Sequence, residues 1–222
     1  MFLTKLNVNV RSREFRRDFA NIHDMHRTVM SAYPAVDAGI PARQAHGVLW
    51  RLDPTHSGYI QYTQSHTIPD WTRLPPGYLA TPAEVRPLQP VLDAIAPGRK
   101  LLFRILANAT QDIRPPELRG ASRRVAHRSA ESQINWLIGK GERHGFVIPT
   151  GRDGKPDVAP SPVPNMTGDK GGTKPITIGA VRFDGHLIIT DAQAFTDAVV
   201  TGIGRARAYG CGLLTVAPPH NS

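Results

Sequence analysis

The chain of 222 residues carries 27 Lys and Arg against 18 Asp and Glu, a formal net charge of +9 and a pI near 10.2, which points to a polyanionic partner, nucleic acid first. Cys211 is the one cysteine, so an intrachain disulfide and a cysteine-based zinc cage are excluded. No run of about 18 apolar residues offers a membrane span, and the opening segment lacks the apolar core and cleavage site of a leader, so a cytoplasmic globular protein is expected.

Residues 2–10 alternate most cleanly at Val8 and Val10 and predict an opening strand. Ser12 is placed to cap a helix, and Phe15, Phe19, Ile22, Met25, Val29 and Tyr33 keep helical spacing from about residue 14 to Pro34. Strands are predicted over 46–52 and 59–67, on either side of the turn-rich segment 53–58. The proline-rich stretch 69–97 predicts a short helical piece near Trp71, an irregular strand over 85–95 and a linker at Pro97-Gly98.

A second unit opens with a strand over 100–107. An arginine-rich connection, 114–128, leads into a helix over 129–140, with Gly139 and Gly141 as its exit. After a short strand over 146–149, the Pro, Gly, Lys and Asp content of 151–175 predicts a mobile basic loop. Strands over 176–183 and 186–190 flank a turn at Asp184-Gly185, Asp191 caps a helix through Val200, and an apolar strand over 213–217 closes the chain. The order strand, helix, strand, strand is read twice. It predicts an α+β chain of two tandem ferredoxin-like (RRM-like) domains with antiparallel sheets, 1–97 and 98–222.

Before the last strand lies Gly202-Ile203-Gly204-Arg205-Ala206-Arg207-Ala208-Tyr209-Gly210-Cys211-Gly212. Glycines let backbone N–H groups turn toward an anion, and arginines add fixed charge beside them. Arg207 stands where a dinucleotide fingerprint needs its third glycine, and no Gly-Lys-Ser/Thr follows, so this is neither that fingerprint nor a P-loop. With the basic composition, Gly202, Gly204, Arg205, Arg207, Gly210 and Gly212 become candidates for a cradle on an RNA backbone. The other reading is a glycine-rich turn required only by chain geometry. Arg119, Arg123, Arg124 and Arg128 predict a one-sided basic ridge suited to an A-form stem, and Lys170 and Lys174 are further candidates for RNA contact.

Among nine histidines, His23 and His26 share a helix face through their three-residue spacing. They lack the spacing of a metal site, but an imidazole in a basic groove suits acid or base work on a ribose 2′-OH. Arg27, with Arg205 or Arg207, is placed to neutralise the phosphorane-like transition state. An unbroken helix through Phe15 and Phe19 puts His26 inside the apolar stripe, whereas a helix beginning near Asp18 moves it to the margin. On periodicity alone, a hydrogen-bonded core histidine is the better reading.

The opening Met-Phe-Leu-Thr-Lys-Leu, His26 followed by Arg27-Thr28-Val29-Met30-Ser31-Ala32-Tyr33-Pro34, Leu102-Phe103-Arg104-Ile105-Leu106-Ala107-Asn108, and the glycine segment running into Leu213-Leu214 together resemble the CasE family. These are the CRISPR repeat-processing endoribonucleases of type I-E Cascade, in the RAMP superfamily. The resemblance implies cleavage at the 3′ base of a repeat hairpin by 2′-OH attack, without metal or other cofactor, leaving a 2′,3′-cyclic phosphate. It implies retention of the guide within Cascade and places the catalytic histidine at His26. A tyrosine is frequent three residues earlier in that family; here His23 stands there as a second catalytic candidate. The alternative is a non-catalytic subunit that binds an RNA hairpin.

Overall fold

The computed structural model describes residues 1–37, 39–114, 121–171 and 175–219. Its first half contains strand β1 (Phe2–Val8), helices α1 (Arg13–Ala20), α2 (Ile22–Met30) and α3 (Ala42–Ala45), and strands β2 (Leu49–Thr55), β3 (Gly58–Ser65) and β4 (Glu84–Pro87). The sheet runs β2-β3-β1-β4 with every pairing antiparallel, Leu6 facing Gln61 and Leu3 facing both Gln64 and Arg86. A 3-10 turn, Trp71–Arg73, supplies the helical piece expected near Trp71. The irregular strand expected over 85–95 ends at Pro87, and helix α4 (Gln89–Asp93) takes over, with proline in its first turn where no backbone donor is needed.

The single helix expected from residue 14 to Tyr33 is divided. Asn21 takes an extended backbone and ends α1 by donating its N–H to the Arg17 and Asp18 carbonyls; its side-chain oxygen then accepts from the His23 N–H to begin α2. The break reorients the apolar stripe. Phe15, Ile22, Met25 and Val29 enter the core with Trp50 and Tyr78, while Phe19 stays 52% exposed. His46, expected to start a strand, ends α3 instead, and β2 begins at Leu49.

The second half contains β5 (Lys100–Ala107), a hairpin of β6 (Thr110–Ile113) and β7 (Arg123–Ala126), α5 (Ala130–Arg143), β8 (Phe146–Val147), β9 (Val158–Pro162), β10 (Met166–Gly168), β11 (Ile176–Ile178), β12 (Val181–Ile189), α6 (Ala192–Thr201) and β13 (Leu214–Ala217). Its sheet runs β13-β5-β12, with β8 and β9 sharing the far edge of β12. Both halves therefore have the ferredoxin-like strand order.

Three expectations are corrected here. Helix α5 continues through Gly139 and Gly141, because Phe146 folds back onto it so closely that a Cβ at Gly141 would lie 2.6 Å from the Phe146 carbonyl oxygen. Asp184-Gly185 is not a turn: β12 passes straight through it, paired on both sides, and the Asp184 carboxylate accepts from Arg104 and Arg182. The segment 151–175 is not simply a loop, since β9 joins the main sheet and β10 pairs with β11. Pro160 and Pro162 are tolerated because β9 lies at the sheet edge, where a missing donor costs little.

Each sheet covers its own core, one around Leu6, Met25 and Trp50, the other around Phe103, Ile105, Leu137, Phe183 and Phe195. Buried polar bonds join the halves. Arg51 of β2, 2% exposed, donates to both Asp53 carboxylate oxygens at 2.7 and 2.9 Å. It also donates to the Arg104 and Leu213 carbonyls and to Thr215 Oγ1, each at 3.1 Å. Gln64 Nε2 adds a 2.8 Å bond to the Val199 carbonyl.

Candidate functional site

Because α2 restarts at Asn21, Ile22, Met25 and Val29 point inward while His23 and His26 lie half-buried at the edge of that stripe and Arg27 is exposed. This is the second of the two placements that periodicity leaves open. Three elements meet there. Tyr209, on the short 3-10 turn Arg207–Tyr209 of the glycine segment, places its ring centroid 6.4 Å from that of His23 and 6.1 Å from that of His26. Lys170, just beyond β10, holds its Nζ 5.6 Å from the centre of the same tyrosine ring. The strand it follows is tied to the histidine helix, since the Asp169 N–H donates to Asn21 Oδ1 at 3.1 Å.

The electrostatics favour an uncharged imidazole. Burial, then the neighbouring His23, Arg43 and Lys170, push the His26 pKa down to about 4. The Nδ1 atoms of His23 and His26 are both buried without a hydrogen-bond partner. Burial thus holds His26 toward its neutral form in the free chain. Arg43 is half-buried near Arg207, and burial, then repulsion from that arginine, lowers the Arg43 pKa. Cys211 is fully buried with its thiol pushed up to about 12, which suits a space-filling role and not a nucleophile. Among the described residues, no group of three His, Cys, Asp or Glu side chains is arranged to hold a metal ion.

The sequence family described as CRISPR associated protein matches residues 1–218. Aligned over 226 residues, the chain is 34% identical to the CRISPR-associated endoribonuclease Cse3 of Thermus thermophilus, with 98% of this chain and 100% of that protein covered. It belongs to the Cse3/CasE family. A structure of the endoribonuclease Cse3 bound to a 19-nucleotide RNA superposes with a TM-score of 0.81 at 32% identity, covering 98% of this chain and 100% of the other. The Cascade subunit CasE of Escherichia coli is 35% identical over 130 residues, 54% of this chain and 59% of that protein.

In this Cse3/CasE-family chain the glycine segment is strongly built. Gly202, Gly204, Gly210 and Gly212 all have positive φ. The N–H groups of Gly202, Ile203, Tyr209, Cys211 and Gly212 bond to carbonyls within the protein, so these five serve chain geometry. Arg205 is exposed, and Arg207 folds back to donate to the Gly204 carbonyl at 3.0 Å. Lys140 and Arg143 on α5 extend this cationic face, and the arginines of the glycine segment help depress the Lys140 pKa, after burial and Arg143; burial, then Lys140, Arg143 and Arg207, lowers the pKa of the neighbouring His144 and favours its uncharged ring.

The arginines read as one ridge are distributed differently. Arg123 and Arg124 are consecutive in β7 and point to opposite faces of the hairpin. Arg124 is paired with Asp112 across the hairpin at 2.8 Å, and Arg128 lies exposed beyond the strand. Arg119 and Lys174 lie outside the described residues. Sequence reasoning does not single out Tyr209, Arg43 or Lys140. Tyr209 stood within the quoted motif, but no spacing rule connects it to a helix near the opposite end of the chain.

Proposed function

We propose that this chain binds the hairpin of a CRISPR repeat RNA and cuts the precursor at the 3′ base of the stem. The observation that carries this reading is the pair of half-buried histidines on α2, beside Lys170 and Tyr209, in a member of the Cse3/CasE family. His26 accepts the proton of the ribose 2′-OH, whose oxygen attacks the adjacent phosphorus; the bond to the 5′-oxygen breaks, that oxygen takes a proton from water, to which the His26 imidazolium returns its own, and a 2′,3′-cyclic phosphate remains. The approaching phosphate offsets the burial that holds His26 neutral and raises its proton affinity. His23 orients the 2′-OH or shares in proton transfer. Lys170, Arg27, Arg205 and Arg207 neutralise charge on the backbone and the transition state, and of the arginines around β7, Arg128 and whichever of Arg123 and Arg124 lies on the RNA side meet the stem. No metal takes part. The chain acts as two domains, 1–97 and 98–222, works in the cytoplasm and retains the guide within Cascade.

The test is cleavage of a labelled hairpin from the host's own repeat in EDTA, with His26→Ala and a single 2′-deoxy substitution at the cut as controls. Wild-type cleavage abolished by either change, with His26→Ala still binding the hairpin, is the expected result. Tight binding with no cut by the wild type refutes cleavage.

A further inference from the structure

Tyr209 is held more firmly than a loop residue needs to be for chain reversal. Its N–H donates to the Ala206 carbonyl at 2.8 Å, and Ala206 is the one non-glycine with positive φ among the described residues. A left-handed alanine is a strained backbone that surrounding contacts must maintain, and such strain concentrates at functional sites. The contacts come from Trp50 of β2, which is buried and donates its indole N–H to the Ala208 carbonyl at 3.2 Å. The same indole lies 3.0 Å from where a Cβ of Gly210 would be, and Gly210 has φ of 78°. The turn is thus clamped from the first sheet on both sides of Tyr209.

What the clamp delivers is an aromatic ring packed partly against the core of the first half and partly against the small cluster around Leu106, Ile178 and Cys211. The rest of its surface meets the site. His23 and His26 are inclined to it by 60° and 73°, with Lys170 over the ring. The two imidazoles have no hydrogen bond at Nδ1 to fix their rotation, so ring packing is what orients them. We propose that Tyr209 is a positioning residue: its aromatic ring sets the orientation of His23 and His26, with its hydroxyl playing no part in the chemistry. The proposal rests on the endoribonuclease reading for its consequence in rate, and on the packing alone for its consequence in geometry.

Two variants and two measurements test it. In single-turnover cleavage of the repeat hairpin, Tyr209→Phe keeps the ring and stays within about threefold of wild type. Tyr209→Leu loses the ring, and its rate falls roughly 10- to 100-fold, the scale of a small misplacement of reacting groups, while hairpin affinity stays within about threefold. Nuclear magnetic resonance gives an arm independent of cleavage: nuclear Overhauser contacts from the His23 and His26 ring protons to their neighbours are kept in Tyr209→Phe and change in Tyr209→Leu, with amide resonances far from the site unchanged. Imidazole contacts in Tyr209→Leu that match those of the wild type overturn the proposal. So does Tyr209→Leu cutting at the wild-type rate, or Tyr209→Phe as slow as Tyr209→Leu, which makes the hydroxyl the working group. Altered imidazole contacts in Tyr209→Leu, where the wild type does not cut, refute the endoribonuclease reading and leave the positioning role standing.

Discussion

Replacing Arg51 with Met removes the cation at the centre of the join between the two sheets. Its length is nearly kept, but five donor contacts disappear: two to Asp53 at 2.7 and 2.9 Å, and three to Arg104 O, Leu213 O and Thr215 Oγ1 at 3.1 Å. Asp53 is left 5% exposed, with Arg104 at 3.5 Å as its remaining cation, and Arg104 is already engaged by Asp184. Stranding one partner of a buried ion pair costs about 3 to 5 kcal/mol. For a chain of this size that lowers Tm by roughly 6 to 20 °C. Urea and thermal unfolding of wild type, Arg51→Met, Asp53→Leu and the double variant measure it. The double variant, which removes both charges, should recover much of the loss, since the penalty lies in the unpaired carboxylate. A cost below about 1 kcal/mol for Arg51→Met, or a double variant worse than the sum of the singles, refutes the reasoning.

Two further outcomes follow from the site. His26 has its pKa depressed from 6.5 to about 4 on folding, so the unfolded chain takes up its proton first as pH falls. The stability tied to its neutral form is complete above pH 6.5 and is lost as pH falls toward 4; chemical denaturation across that window should show a shallower acid loss in His26→Gln than in wild type. Arg205 is exposed beside the glycine turn, and a phosphate contact there means that Arg205→Ala weakens hairpin binding and flattens the slope of log affinity against log salt by about 1. An unchanged slope removes Arg205 from the RNA interface.

Much of the architecture was legible because the apolar period and the caps agreed. Ser12 and Asp191 each cap the helix that follows them, and Ser129, expected to open its helix, caps it. The misreadings arose where a residue type has two uses. Asn21 interrupts an apolar pattern that continues on both sides of it, so the periodicity hides a good capping residue. Asp184 and Gly185 look like a turn, yet the aspartate is an ion-pair partner for Arg104 and Arg182 in the middle of a strand. Prolines in β9 argued for a loop, whereas an edge strand admits them. The histidine pair is visible as spacing on one helix, whereas Tyr209 and Lys170 come beside it only in the assembled fold. Consecutive arginines in β7 show the same limit: their separation in sequence is plain, and the face each one occupies depends on an element that charge counting does not reveal.

The bond from Asp169 to Asn21 has a consequence for how this chain can be recombined. One carboxamide both starts the histidine helix and anchors the strand that leads to Lys170. A chimera that joined residues 1–97 to the second half of a relative would bring the helix start from one parent and the anchored strand from another. If the incoming strand did not offer an N–H at the height of Asn21, the helix would still form, but the lysine would no longer be delivered over the tyrosine ring. Sequence exchange between relatives is therefore constrained at a pair of positions that look, in each parent alone, like ordinary surface polar residues.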